Sequence, residues 1–258
     1  MPSLLKRKLA QGEFVIGTWV TMSDPAGMEI LSQVGFDVLL IDGEHAPVDA
    51  GTLRDLLIAG KGSDTALLVR VPGNDPVRIK IALDLGADGV MVPMVNSADE
   101  ARGAVAACKY PPEGIRSVGA WRPSGYYQSE SEYVRRANVD TTVVVQVEHI
   151  RAVEALNDIL KVPGIDAVFI GPSDLAASLG HLAHTRHPEV VATIERIAAG
   201  CRAAGVPFGT DADEPQWLAG LGACFFATGI DTGFLADGAR TAMAGMKAAL
   251  GTGRWGGR

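Results

Sequence analysis

The sequence contains no CxxC pair, and its three cysteines, Cys108, Cys201 and Cys224, stand far apart. That argues against a disulfide framework and against a thiolate zinc site. It contains no basic cluster and carries a net charge of −7, so nucleic acid is a poor partner. No apolar run reaches the ~18 residues that a membrane span requires. Residues 1–10 are basic but lack the apolar core of a signal peptide. A reducing cytoplasm is the expected compartment. There is no HExxH motif, and Gly60-Lys61-Gly62-Ser63 lacks the spacing of a phosphate-binding loop. His181, His184 and His187 recur every three residues between Gly180 and Pro188, and are expected as solvated side chains. There is no low-complexity tract, no internal repeat and no second domain boundary.

What the chain does contain is 258 residues with 47% hydrophobic content. That length is near the ~250 residues of one (β/α)8 barrel, and the composition suits a globular core. Apolar runs and helical patterns alternate about eight times. The expected strands lie at 14–20, 38–41, 66–71, 89–93, 142–148, 167–170, 206–209 and 224–228. Several are apolar nearly throughout, as parallel strands buried on both faces are. Helical patterns occupy 25–33, 53–59, 76–85, 98–108, 152–160 and 190–204. Asp24-Pro25 and Asp75-Pro76 read as an N-cap with proline at the first helical position. Gly35, Gly86 and Gly205 read as helix C-termini. The pattern predicts a single-domain (β/α)8 TIM barrel. An open doubly wound sheet is the alternative.

Residues 110–137 break the rhythm. This insertion holds Tyr110, Trp121, Tyr126 and Tyr127, and reads either as a lid or subunit contact, or as a packed surface excursion. Residues 233–250 form a long patterned C-terminal helix, with Ala236, Ala239, Met243 and Met246 on one face. Residues 251–258 read as a frayed tail.

In such a barrel the chemistry sits at the C-terminal strand ends. Polar residues collect there. The second strand runs into Asp42-Gly43-Glu44-His45, the third into Arg70, the fifth into Gln146-Val147-Glu148, and the sixth into Gly171-Pro172-Ser173-Asp174. Trp19 lies near the end of the first. Glu148 and Asp174 offer oxygen ligands at adjacent strand ends, which suits Mg2+ or Mn2+. Against this, either could serve a salt bridge, and Asp174 could be a helix N-cap. Gln146 shares a strand face with Glu148, and is either a donor to a substrate oxygen or a satisfied buried amide. Arg70 either stabilises an oxyanion or forms a rim ion pair. His45 is a candidate general base, with Asp42 or Glu44 close enough in sequence to orient it. Ser173-Asp174 opens a helix over 173–179 whose free N–H groups suit an anion.

Asp42-Gly43-Glu44-His45, the Gln146-x-Glu148 pair and Gly171-Pro172-Ser173-Asp174-Leu175 together resemble the HpcH/HpaI aldolase family, as do residues 82–95 and 222–231. The resemblance covers nearly the whole chain. It implies a class II pyruvate aldolase on a homohexamer of barrels, cleaving a 4-hydroxy-2-oxo acid to pyruvate and an aldehyde with Mg2+, Mn2+ or Co2+. It implies Glu148 and Asp174 as metal ligands, His45 as base and Arg70 as transition-state stabiliser. It also implies Asp84 as the acid that supports His45, across a subunit interface, and Gln146, Ser173 and Asp174 as pyruvate contacts. Two features depart from the family pattern and bear on the aldehyde half: the aromatic-rich insertion, and Asp211, where members often carry an apolar residue.

Three rivals remain. A Schiff-base aldolase needs a lysine inside the barrel. None of the seven lysines (Lys6, Lys8, Lys61, Lys80, Lys109, Lys161, Lys247) falls in or at the end of an expected strand. An acyl-CoA or phosphoenolpyruvate lyase would want a basic groove, and the sequence shows none. A non-catalytic acid-binding barrel would turn over no 2-oxo acid.

Overall fold

A computed structural model describes residues 4–251. The tail expected at 251–258 lies, beyond its first residue, outside them. Eight parallel strands close into one barrel in chain order: β1 (Val15–Val20), β2 (Val38–Asp42), β3 (Ala66–Arg70), β4 (Gly89–Val92), β5 (Thr142–Val147), β6 (Ala167–Ile170), β7 (Phe208–Asp211) and β8 (Phe225–Ile230). All eight strands are legible in the sequence because most are apolar on both faces.

Alternation along each strand divides two cores. Leu39, Ile41, Val69, Val90, Val143, Val145 and Ile170 point outward into a layer shared with the helices. Val38, Leu40, Leu68, Met91, Val144, Phe169 and Phe225 fill the barrel interior. The helix α1 (Leu4–Gln11) closes the bottom, its Leu5 and Leu9 fully buried in that inner cluster. The sequence reading missed this helix, although Leu5 and Leu9 share the i, i+4 spacing of one helical face.

Helices α2 (Pro25–Ser32), α3 (Ala50–Ala59), α4 (Pro76–Asp84) and α5 (Ala98–Cys108) follow the first four strands. Asp24 caps α2 and Asp75 caps α4, each with proline next, as expected. Gly35, Gly86 and Gly205 all adopt positive φ. The helix expected at 152–160 is two short ones, α7 (Ile150–Glu154) and α8 (Leu156–Ile159), separated at Ala155. Then come α9 (Pro172–Ser178), α10 (Pro188–Ala204), the unforeseen α11 (Pro215–Gly220) and α12 (Asp231–Leu250).

β7 starts two residues later than expected. Pro207 has no N–H to give the ladder, and the N–H of Val206 turns back to Cys201 O to finish α10. The shift brings Asp211 into the strand. β8 correspondingly runs on to Ile230.

The insertion packs against the flank of the barrel and ends in α6 (Glu130–Asp140). Arg116, fully buried, pairs with Asp84 at 2.7 Å and sits over the Tyr110 ring. Arg122 donates to Leu57 O and Leu85 O. These contacts pack it against its own barrel, while Trp121, Tyr126 and Tyr127 stay exposed. It contributes nothing to the cavity described next.

Candidate active site

The inward column of side chains continues past the hydrocarbon core and turns polar. Above Val38 and Leu40 comes Asp42; above Ala66 and Leu68 comes Arg70; above Val144 come Gln146 and Glu148. Above Phe169 comes Gly171, and above Gly209 comes Asp211. Strand phase alone therefore aims these groups at one point. They line a cavity of about 450 Å3 with Trp19, Thr21, His45, Ser173, Asp174 and Ile230. Its floor is aromatic, with Trp19 edge-on to Phe169 and Phe169 edge-on to Phe225.

Arg70 is held on three sides. Its Nε and Nη2 donate to the two oxygens of Asp42 at 2.9 and 2.8 Å, and its guanidinium lies 4.3 Å from the Trp19 ring centroid. Glu44 Oε2 is 3.4 Å from Arg70 Nε and 3.8 Å from His45 Nε2. Asp42 also accepts the N–H groups of Glu44 and His45. It thus shapes the loop that carries His45, while Glu44 is the acid beside the imidazole. Although burial opposes it, hydrogen bonding and charge from Arg70 hold Asp42 below the usual carboxylate range.

Glu148 sits just beyond β5, 3% exposed. Its Oε1 accepts the Met94 N–H at 2.7 Å and its Oε2 accepts Gln146 Nε2 at 2.9 Å. Met94 reaches it from a left-handed backbone conformation at φ 54°, a signal that no residue pattern carries. Gly171 permits the approach of β6, since a Cβ there would lie 2.3 Å from Glu148 Oε2. Burial pushes the Glu148 carboxyl up to about 7, and repulsion from Glu44 and Asp174 adds to it. Burial likewise raises Glu44. Gln146 was expected to donate to substrate or to be a satisfied amide. Instead it donates to Glu148, and its buried Oε1 has no partner.

Asp174 is not the helix cap. Gly171 takes that position and no side chain caps α9; Asp174 stands exposed in the first turn, at the cavity mouth. A divalent cation fits this donor set. Glu44 and Asp174 repel a buried Glu148 carboxylate whose ionisation is disfavoured, and orphaned acceptors remain on Glu44 and Gln146. A cation bound to Glu148 and Asp174 would relieve the repulsion.

Asp211, the departure noted above, does enter the cavity. Its Oδ1 accepts Trp19 Nε1–H at 2.8 Å. Burial raises its carboxyl, opposed by that hydrogen bond and by Arg70. Asp84 does not enter. It ends α4, paired with Arg116, outside the cavity lining.

The histidine-rich loop differs from its expectation. His181 and His187 are half-buried and stacked 3.5 Å apart. His181 Nε2 meets Glu189 Oε2 at 2.8 Å, and His187 Nδ1 accepts the Glu189 N–H that begins α10. These three side chains come close enough to hold a metal, but in the described arrangement they bond one another and cap a helix. Only His184 is solvated.

A second cleft of about 410 Å3 lies at the opposite end of the strands, lined by Asp88, Arg122 and Arg136 among others. Its buried charges are committed to backbone, Asp88 to Leu67 N–H and Arg122 to two carbonyls.

The HpcH/HpaI aldolase/citrate lyase family model matches residues 15–238. The chain belongs to that family. A 5-keto-4-deoxy-D-glucarate aldolase from Salmonella paratyphi A is 42% identical over 236 residues, 90% of this chain and 92% of its own. The crystal structure of a family protein from Burkholderia cenocepacia J2315 superposes with a TM-score of 0.91 at 33% identity, covering 95% of this chain and 99% of that one. An HpcH/HpaI aldolase from Desulfitobacterium hafniense DCB-2 gives 0.85 at 32% identity, with 94% and 96% covered. The chain is accordingly a carbon–carbon lyase. Among the described residues no lysine lines the cavity, which leaves the Schiff-base rival without a nucleophile.

Proposed function

We propose that this cavity runs a class II pyruvate aldol reaction, cleaving a 4-hydroxy-2-oxo acid reversibly to pyruvate and an aldehyde, with Glu148 and Asp174 holding the cation. Relatives named for 5-keto-4-deoxy-D-glucarate make a sugar-acid substrate the starting expectation. The observation that carries the reading is a buried Glu148 whose ionisation is disfavoured, facing Asp174 and a pre-fixed guanidinium in one cavity.

When bound, Mg2+, Mn2+ or Co2+ supplies Lewis acidity toward the 2-oxo and carboxylate oxygens of the substrate. The chain supplies the rest. Ser173, at the start of α9, offers its hydroxyl and N–H to the carboxylate. In cleavage His45 accepts the 4-hydroxyl proton, the C3–C4 bond breaks, and its electron pair passes into the pyruvate half as charge on the 2-oxo oxygen. Arg70 faces that charge. Asp42 and Trp19 fix its orientation beforehand, so little reorganisation is needed as the charge develops. Asp42 is a positioning residue in this scheme.

The assembly we assign is a homo-oligomer, a hexamer by the resemblance. Supporting it, α12 buries only Asp231 among its 20 residues, while Leu235, Met243, Met246 and Leu250 stay exposed. Phe14 and Ile16 lie bare on the barrel's outer face, a combination that copies of the chain would cover. Asp84 is assigned to the His45 of a neighbouring copy on the resemblance alone. No helix among the described residues is long and apolar enough to cross a membrane. The cytoplasm is the assigned compartment, in keeping with three buried free cysteines.

The test uses pyruvate alone, in D2O with Mg2+ or Mn2+. The methyl proton signal should fade faster than in a protein-free, metal-matched control. His45→Ala should slow the exchange, and Glu148→Ala or chelation should stop it with the fold intact by circular dichroism. Exchange by the wild type at the control rate, with metal bound, overturns the reading.

A further inference from the structure

We propose that Asp211 selects the aldehyde half of the substrate, accepting a neutral, hydroxyl-bearing aldehyde and rejecting one with a carboxylate. The inference rests on the aldol reading above, and in substrate class it departs from the dicarboxylate for which the relatives are named.

The position comes from the fold. Asp211 lies two residues beyond Gly209 in β7 and so shares its inward phase. Its carboxylate turns toward β1 and takes the Trp19 N–H through Oδ1, which leaves further lone pairs for a ligand. The cation ligands Glu148 and Asp174 follow β5 and β6, whereas Trp19 belongs to β1, across the closed barrel. Glu44, Asp174 and Arg70 are the charges that act on Glu148; those that act on Asp211 are Arg70 and Asp213. Asp211 lines the same cavity from β7, beside β6, without being among the charges that act on Glu148, and can meet the C4 end of a bound 2-oxo acid.

Charge then decides what fits. Arg70 is the only arginine or lysine among the described residues lining the cavity, and Asp42 already grips it with both oxygens. A divalent cation on Glu148 and Asp174 is balanced by them. His45 must be neutral to act as a base. The substrate's own carboxylate is met by the cation, Arg70 and the start of α9. A second carboxylate would find no further arginine or lysine there, and would face Asp211 in a partly desolvated space. Like charges so placed strongly disfavour binding. A hydroxyl would instead donate to Asp211. The Thr21 hydroxyl, also in the lining, already donates to Asp231.

The experiment compares two aldehydes of one skeleton in the synthetic direction with pyruvate: glyceraldehyde, and its acid counterpart 2-hydroxy-3-oxopropanoate. The quantity read is the ratio of their kcat/KM values within each protein, which cancels any loss common to both. The wild type should favour glyceraldehyde roughly tenfold or more. Asp211→Asn keeps an acceptor for Trp19 while removing the charge, and should move the ratio at least about tenfold toward the acid. Asp211→Leu, a second and apolar replacement, should also erase the preference for glyceraldehyde over an aldehyde lacking hydroxyls. A wild type that prefers the acid, or an Asp211→Asn ratio within about twofold of wild type, overturns the inference. Wild-type exchange of pyruvate protons in D2O separates the two failures: if it occurs, only the assignment of Asp211 falls; if it does not, the aldol reading itself falls.

Discussion

At the N-terminal end of the barrel, Asp37, Asp88 and Asp166 each accept one backbone N–H from the preceding strand, those of Ile16, Leu67 and Val143, at 2.8–2.9 Å. Each also returns its own N–H to the carbonyl of the same residue. At the C-terminal end, Glu148, Asp174 and Asp211 line one cavity with Glu44 close behind His45 and Arg70, and Glu44, Glu148 and Asp211 are pushed above the ordinary carboxylate range. One chemical group serves two purposes. A carboxylate with a backbone donor and a nearby lysine, as Asp37 has Lys8 and Asp166 has Lys6, tightens the fold. A carboxylate buried among other acids stores repulsion that a cation or substrate can release.

The largest expected effect breaks this comparison directly. Glu148→Gln keeps an acceptor for the Met94 N–H but loses the charge. Turnover should fall on the order of 10²-fold or more, while the metal-free protein should be no less stable than wild type. The pH dependence sharpens the point. The folded Glu148 lies at about 7 and its ordinary value is 4.5. The folded state therefore holds this proton more tightly than the unfolded one between those values. Its stabilising contribution is complete below about 4.5 and is lost as pH rises through about 7. Metal-free wild type should lose thermal stability over that window more steeply than Glu148→Gln, as read by Tm at successive pH values. Parallel Tm curves for the two proteins would place the strain elsewhere.

Next in size is Arg70→Ala. Its guanidinium is fixed before substrate arrives, so its loss should lower kcat on the order of 10²–10³-fold, with a smaller rise in KM. Steady-state kinetics on the cleavage reaction tests this. An unchanged kcat would reduce Arg70 to the partner of Asp42.

The barrel was legible because strand burial on both faces leaves an apolar run with polar punctuation, and because Asp24-Pro25 and Asp75-Pro76 are local caps. The site was legible to the extent that polar residues end such runs, as Asp42, Arg70 and Glu148 do, whereas Asp211 lay beyond the expected end of its strand and stood out only by the resemblance. What stayed hidden depends on backbone course. The Met94 N–H reaches Glu148 only through a positive φ, and the placement of Asp84 beside Arg116 depends on how an insertion packs. A recurring device also escaped notice. Gly35-Phe36-Asp37, Gly86-Ala87-Asp88 and Gly164-Ile165-Asp166 precede β2, β4 and β6, each glycine at φ between 93° and 100°. Gly222-Ala223-Cys224 stands in the same place before β8, with the Cys224 thiol donating to Phe208 O. Three residues repeated at such long and uneven intervals do not register as a repeat until the barrel brings them to one rim.

The smallest effect distinguishes members of that rim. Asp88 accepts the Leu67 N–H like its two counterparts, but its nearest opposite charge is Arg122, whose own bonds go to backbone carbonyls. Burial raises its carboxyl, so the charge itself adds little. Asp88→Asn retains the acceptor and should alter stability by no more than about 0.5 kcal/mol. Asp88→Ala strands a buried N–H and should cost about 1–3 kcal/mol. The same Asn change at Asp37 forfeits the Lys8 ion pair and should cost up to about 1 kcal/mol. Urea unfolding of the three variants orders them. Aldol turnover per folded molecule should be alike in all three, because these carboxylates lie at the far end of the strands from the cavity. If Asp88→Asn were as damaging as Asp88→Ala, the negative charge, and not the hydrogen bond to the strand, would be what this rim requires.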